Sequence, residues 1–446
     1  MTMTQPAVQA LQEAMGSGLL YLDTQERLRR SQDYFWYSPI LEERLKDKMA
    51  DVVAVPSSEE EAVRLLSVAF QQRIPVTIRG AGTGNYGQAV PLSGGMVLDT
   101  TALSRVLEIG EGYARVEGGV RLGALERRAR SLGQELAIYP STYMRSTAAG
   151  FVCGGSGGIG SVDWGSLWDG NVLGVIAWSM EEEPRRIESY GEAVRPFIHF
   201  YGTTGLITQV ILRLVPRVEW EQWIASFPNL HLASAFAQTL CEKSSVKKRL
   251  VSVNEWPIPS LFEPIVSLCQ EGQSNVLLEI EEDGRPTLEA LVADSGGSLY
   301  RYAVASEYHR GIGLSEFTWN HTTLWAKKKD PTWTYLQASF VPEYLHEQID
   351  AVKTRFGGDV LLHFEWIRDG SRFIPQSLPL VRFRDPSQLY EVIEFFESNQ
   401  ISIADPHLWV VNPGYRGMRG VDFEEIRRIK AQNDPANLLN PGKLLV

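Results

Sequence analysis

A chain of 446 residues, 44% hydrophobic and 22% charged, has the length for two or three domains and ample material for buried cores. Its formal net charge of −11 argues against nucleic acid or an anionic membrane as a general partner. Three cysteines without C-x-x-C spacing (Cys153, Cys241, Cys269) argue against a disulfide framework or a zinc site. No basic-then-apolar leader and no apolar run of about 18 residues is visible, so the expectation is a cytoplasmic chain with no membrane span.

Residues 7–16 and 23–31 read as short helices. Asp51 to Pro56 reads as a short buried strand, after which Ser57 or Ser58 caps a helix whose first turn carries Glu59, Glu60 and Glu61. Ala62, Leu65, Leu66 and Ala69 form one apolar stripe at helical spacing. Val76 to Ile78 is the next strand, and the resulting β-α-β unit delivers the chain into Arg79-Gly80-Ala81-Gly82-Thr83-Gly84-Asn85-Tyr86-Gly87. Consecutive N–H groups in such a loop can form a nest for a phosphate, with Arg79 adding charge. Pro91 and the pair Gly94-Gly95 follow in place of a helix, which excludes the Rossmann fingerprint.

Strands are expected at 96–99, 106–109 and 113–117, then an amphipathic helix over 122–132. A second glycine-rich region runs from Tyr139-Pro140-Ser141-Thr142 through Ser146-Thr147-Ala148-Ala149-Gly150 to Gly155 and Gly160. Two such regions in one domain are more than ordinary connections. A strand over 172–179 returns through 184–187, and the turn Tyr201-Gly202-Thr203-Thr204-Gly205-Leu206-Ile207 enters an alternating strand that ends at Pro216. From about 219 the composition shifts to frequent tryptophan, with strands at 276–281, 333–340 and 360–366 and helices at 286–294, 343–356 and 387–397. The class is α+β with mixed sheets.

The order of these features resembles the vanillyl-alcohol oxidase / para-cresol methylhydroxylase superfamily of FAD-dependent oxidoreductases. The residues that carry the likeness are Val55-Pro56, the 79–84 loop, Ser146 to Gly150, Tyr201 to Thr208, Asp434-Pro435 and Asn440-Pro441-Gly442-Lys443. The resemblance implies a two-subdomain FAD-binding domain over 1–217, an α+β cap or substrate domain over 218–399, and a segment, 400–446, returning to the first domain. It implies that Arg79, Gly80, Ala81, Gly82, Thr83, Gly84, Asn85 and Gly87 hold the pyrophosphate. Pro140, Ser141, Ser146, Thr147, Gly150, Gly155 and Gly160 would line the adenosine and flavin, Gly205 and Ile207 would add backbone contacts, and Asn440 and Lys443 would sit near the flavin ring. Where covalent members carry a histidine, this chain has Thr83 or Gly84, and Cys153 does not match the offset of a cysteinyl link. Non-covalent FAD is therefore expected.

The implied reaction is hydride transfer from an alcohol or 2-hydroxy acid to flavin N5 while a base takes the hydroxyl proton. His321, in the polar-aromatic run 316–325, His363, with Glu365 two residues on, and His407 are the candidate bases. Arg382 and Arg384, at i and i+2, could clamp a carboxylate, with a solvated strand face as the alternative. The metal-binding His cluster of the branch acting on glycolate and lactate is missing, and no metal is expected. A small-molecule substrate is implied; oxygen, a quinone or a carrier protein remain open as acceptor. Two other readings stay open: an NADPH-driven flavin reductase of the murein-precursor type, and an inactive flavin-binding scaffold.

Overall fold

A computed structural model of the chain describes residues 3–308, 310–411 and 421–445. The part of the expected returning segment at 412–420, and His309 among the seven histidines, lie outside the described residues. Helices and strands are mixed throughout, and the chain divides into two compact units.

The first unit comprises Met1–Ser156, Leu167–Arg217 and His407–Val446. Its first sheet has the order β1 (Leu19–Tyr21), β2 (Val52–Val55), β4 (Met96–Asp99), β3 (Val76–Arg79). β1 runs antiparallel to β2, while β4 is parallel to both of its neighbours. Helix Glu59–Gln71 joins β2 to β3. Ser58 caps it through the N–H of Glu61 at 3.3 Å, and it buries Ala62, Leu65, Leu66 and Ala69. That face meets Val52, Val76, Met96 and Leu98 in one apolar cluster. The stripe at helical spacing thus fixes which side of the helix faces the sheet.

The second sheet of this unit is antiparallel, in the order β5 (Val106–Gly110), β6 (Tyr113–Glu117), β10 (Leu206–Pro216), β8 (Val172–Trp178), β9 (Arg186–Tyr190). A short β7 (Gln134–Leu136) pairs with the far end of β10.

The second unit comprises Gly157–Ser166 and Val218–Pro406. Its main sheet is antiparallel, with eight strands in the order β14 (Ser298–Ala303), β11 (Trp220–Phe227), β13 (Ser274–Glu281), β12 (Lys248–Asn254), β18 (His363–Asp369), β19 (Arg372–Ser377), β16 (Gln337–Ser339), β21 (Ser402–Ala404). β15 (Trp333–Tyr335), β20 (Leu380–Arg382) and β17 (Val360–Leu361) form a smaller sheet. Two stretches expected as single strands, 333–340 and 360–366, each break in two. At the buried Leu336 and Leu362 the chain leaves the small sheet and enters the large one. β21 pairs with β16, so this unit runs on to Pro406. Among the described residues no helix is long and apolar enough to cross a membrane.

Candidate active site

In the first unit β3 ends at Arg79, and the glycine loop begins. The Arg79 side chain is buried, donates through Nη1 to the carbonyl of Gln32 at 2.9 Å, and folds back under its own loop. A Cβ on Gly82, where φ is +68°, would stand 2.0 Å from Arg79 Nη2. Only glycine permits both that dihedral and that approach. Gly80 meets the second glycine-rich region in the same way, since a Cβ there would stand 2.2 Å from Thr147 Oγ1. Thr147 caps helix Ala148–Gly154 through the N–H of Gly150 at 3.3 Å. A line of hydroxyls binds the two regions together, with Thr83 Oγ1 2.9 Å from Ser146 Oγ and Ser146 Oγ 2.6 Å from Thr142 Oγ1.

The far end of the loop is clamped. Gly87 donates its N–H to Asp33 Oδ2 at 2.6 Å and accepts a bond at its carbonyl from Lys443 Nζ. Gln88 Oε1 accepts from the N–H of Tyr86 at 3.0 Å. Lys443 is fully buried. Burial pushes its ammonium down to about 7 despite the neighbouring Asp33 carboxylate. Burial likewise raises Asp33 to about 6, opposed by the Gly87 N–H and by the charges of Lys443 and Arg79.

Asn440 donates its backbone N–H to the Val76 carbonyl at 2.8 Å and its side-chain amide to the Tyr201 carbonyl. It therefore fastens the turn before β10 to the strand before the glycine loop. In that turn His199, Tyr201 and Gly202 all have positive φ. His199 and Tyr201 donate backbone N–H groups to the carbonyls of Val152 and Cys153, each at 2.9 Å. His199 Nδ1 lies 2.8 Å from the Gly155 carbonyl, and burial lowers its ring to about 4. Gly205 leads into β10, where Ile207 pairs with Ala177. A Cβ on Gly118 would stand 3.0 Å from the Ile207 carbonyl. Ser141 is buried, and the Pro140 carbonyl accepts from Tyr143 at 2.9 Å.

His407 also belongs to this unit. Its Nδ1 lies 2.6 Å from Ser38 Oγ, the cap of helix Pro39–Leu45. Gly160 belongs to the second unit, where its N–H donates to the Arg249 carbonyl at 2.8 Å.

A second concentration of polar groups lies on one face of β12 and β18. Their register sets Ser252 opposite Glu365 and Asn254 opposite His363. Glu365 Oε1 accepts from Ser252 Oγ at 2.9 Å and from the Trp319 N–H at 2.7 Å, and lies 2.8 Å from His363 Nε2. Thr322 Oγ1 stands 3.4 Å from the same nitrogen. With Nε2–H given to the carboxylate, Nδ1 keeps the lone pair, and it is buried with no hydrogen-bond partner. His321, in helix Asn320–Lys329, keeps its Nδ1 3.1 Å from Glu316 Oε2, an ion-pair distance whose angle falls short of a hydrogen bond.

Arg382 and Arg384 do not join these histidines. Arg382 pairs with Asp330 at 2.7 Å and lies 4.3 Å above the Trp333 ring, while Arg384 pairs with Asp359. Asp330 caps the opposite end of helix Asn320–Lys329, about 13 Å from His321 at 1.5 Å per residue. Among the described residues no group of three His, Cys, Asp or Glu could hold a metal.

Residues 50–180 match the family model described as FAD binding domain. The chain thus carries an FAD-binding domain, and the relatives that resemble it along most of its length are oxidoreductases. Glycolate oxidase subunit GlcD of Bacillus subtilis is 25% identical over 89% of this chain and 89% of its own length. D-lactate dehydrogenase of Archaeoglobus fulgidus is 24% identical over 88% and 91%. Among solved structures, alkyldihydroxyacetonephosphate synthase has a TM-score of 0.75 at 16% identity, covering 99% of this chain and 86% of that one, which is a likeness of fold.

The first unit fits the FAD that this domain implies. Among the described residues, none of the backbone N–H groups from Ala81 to Asn85 is given to a protein acceptor. Ala81 to Gly84 are half-exposed, and Gly150 is exposed beside them. Five consecutive donors above a buried guanidinium are the donor set a pyrophosphate requires. Sequence reasoning missed Asp33 and Gln88, which brace this loop, Asp33 from the N-terminal segment and Gln88 from the loop's own end. The signal for Asp33 was a lone acid at the head of the aromatic run Tyr34-Phe35-Trp36-Tyr37.

Proposed function

We propose that this protein oxidises a 2-hydroxy acid to the corresponding 2-keto acid, with His363 as the base. FAD, when bound, supplies the acceptor for the hydride lost from C2. His363 Nδ1 takes the hydroxyl proton, and Glu365 holds the ring in the tautomer that leaves this nitrogen free. The observation that carries the reading is the 2.8 Å pairing of His363 Nε2 with Glu365 Oε1, beside an unpartnered Nδ1. Support for the substrate class comes from the relatives, a glycolate oxidase subunit and a D-lactate dehydrogenase. His321 is the second reading, favoured by the Glu316 carboxylate at its Nδ1 and by a side chain that keeps 11% of its surface.

The cofactor is non-covalent in this proposal. The 79–87 loop has no histidine, and burial pushes the Cys153 thiol up to about 12, so little thiolate is present to form a link. A reducing, cytoplasmic setting fits three free cysteines. The electron acceptor is to be sorted by the rate at which oxygen, a quinone analogue or a carrier protein restores the flavin absorbance.

Anaerobic addition of glycolate or D-lactate to the purified holoprotein tests the reaction. Bleaching of the flavin band is expected. No bleaching by any 2-hydroxy acid, with bleaching by NADPH instead, overturns it in favour of a reductase. His363→Asn should lower the bleaching rate by roughly 10²- to 10⁴-fold with FAD retained. A loss of that size in His321→Asn alone transfers the role to His321.

A further inference from the structure

Trp319 in the second unit holds an unusual backbone conformation. It stands immediately before helix Asn320–Lys329 with φ +52° and ψ −138°, a conformation that bulky L-residues rarely adopt. Such backbone persists only where its surroundings over-determine it, and it gathers at ligand clamps and active sites. Here the constraint comes from outside the helix. The Trp319 N–H is taken at 2.7 Å by Glu365 Oε1, a buried oxygen fixed on its other sides by Ser252 and His363. The ring is set against Gly157, where an added Cβ would stand 3.3 Å from the indole edge.

The direction so imposed leaves a donor without an acceptor. Trp319 Nε1 is buried with no hydrogen-bond partner, and an indole nitrogen can only donate. Four residues on, inside the helix, Thr323 is fully buried with its Oγ1 equally unpartnered. Helix Asn320–Lys329 is tied to the β12–β18 face by the Trp319–Glu365 bond and by Thr322 Oγ1 near His363 Nε2. On that face His363 Nδ1 and Asn254 Oδ1, cross-strand neighbours, are unpartnered too. Buried polar atoms are nearly always satisfied, so four such atoms on two tied elements mark a place for a polar guest. Two of them can donate, Trp319 Nε1 and Thr323 Oγ1, and a lone-pair nitrogen lies on the face they are tied to. A carboxylate needs the former and the adjacent hydroxyl needs the latter.

We propose that Trp319 and Thr323 recognise the carboxylate of the substrate, and that Glu365 is the positioning residue that aims the Trp319 indole. The proposal rests on the reading that the chain oxidises a 2-hydroxy acid, and it deepens that reading by naming what selects the acid from a plain alcohol. Glu365 then has two duties, the tautomer of His363 and the angle of Trp319. Their separation is measurable.

Trp319→Phe keeps an aromatic ring but removes the N–H together with the five-membered ring that carries it, so the carboxylate-free alcohol serves as the control for lost packing. In the holoprotein the expected result is a rise of about tenfold in KM for glycolate with kcat within about twofold, and no change in KM for ethylene glycol, which lacks the carboxylate. Glu365→Gln keeps an acceptor for the Trp319 N–H and should lower kcat while leaving KM for glycolate nearly unchanged. Equal KM changes for glycolate and ethylene glycol in Trp319→Phe, or none for glycolate, would overturn the proposal. Thr323→Val, close to isosteric, serves if the tryptophan variant does not accumulate; it should raise KM for glycolate alone by roughly threefold to tenfold, and an unchanged KM overturns the proposal. If glycolate fails to bleach the wild-type flavin, the parent reading has failed, and the carboxylate site is then judged by calorimetric binding of oxalate. About tenfold weaker oxalate binding in Trp319→Phe upholds the site, and equal binding removes it.

Discussion

Asp33 and Lys443 grip the same residue from opposite sides: the carboxylate of one accepts the N–H of Gly87 at 2.6 Å, and the ammonium of the other donates to the carbonyl of Gly87. Both side chains are buried, and each is more than 350 positions from the other in sequence. The last residues of the glycine loop are thereby held by a charge from the N-terminal segment and a charge from the C-terminal one.

This pair makes stability depend on pH in two windows. Burial first, offset by Gly87 N–H, Lys443 and Arg79, raises Asp33 from 3.8 to about 6. Between those values the folded chain holds a proton the unfolded chain has released, so stability falls as pH rises. At about 1.4 kcal/mol per pH unit the fall amounts to at most about 3 kcal/mol. Lys443, pushed from 10.5 down to about 7, acts oppositely: between those values the folded chain holds fewer protons, and stability rises with pH. Urea denaturation of the wild type should show a minimum near pH 6 to 7 from this pair. Asp33→Asn should remove the fall on the acid side, and Lys443→Met the rise on the basic side. A fall of the same size in Asp33→Asn would assign it to other carboxyls.

Gly80→Ala should separate the two glycine-rich regions. The new Cβ would lie 2.2 Å from Thr147 Oγ1, which is already committed to the Gly150 N–H. If Thr147 rotates away, helix Ala148–Gly154 loses its cap, at a cost of about 1 kcal/mol. If it does not, the loop must move. Either way FAD retention, followed by the fluorescence of flavin released on dilution, should weaken by at least about tenfold. Unchanged retention would mean that the approach of the two regions does not shape the cofactor site.

What the sequence made legible follows from local physics. The stripe Ala62, Leu65, Leu66, Ala69 predicted the buried face of helix Glu59–Gln71 because a 3.6-residue period leaves little choice. The glycines at 80 and 82 were readable as parts of a phosphate nest, but that they also make room for Thr147 and for the Arg79 guanidinium was not. Strands β15 and β16 were read as one because nothing local marks Leu336 as the point where the chain changes sheets. β11 escaped notice because Glu221 and Gln222 look like surface residues. Glu221 is in fact buried against Arg285 at 2.7 Å, and Gln222 accepts from the Leu314 N–H at 2.7 Å. Arg382 and Arg384 matched a carboxylate clamp by spacing, but their partners Asp330 and Asp359 come from other elements and could not be paired in advance.

Glu61 offers a test of how the N-terminal segment is held to the first unit. Its carboxylate is buried and accepts three backbone N–H groups: Ser17 at 2.6 Å, Gly18 at 3.3 Å and Ser57 at 2.8 Å. Burial works to raise its proton affinity, but these bonds, with the Ser57 hydroxyl, carry the balance below the ordinary 4.5. A carboxyl depressed on folding adds stability that is fully present above its unfolded value and is lost as pH falls through the folded one. Glu61→Gln should therefore cost roughly 1.5–3 kcal/mol at pH 7, the range for hydrogen bonds to a charged group. The difference from wild type should shrink steadily below pH 4.5. Paired urea titrations at pH 7 and pH 4 would show it, and a cost independent of pH would mean that shape, not charge, holds Ser17 and Gly18 in place.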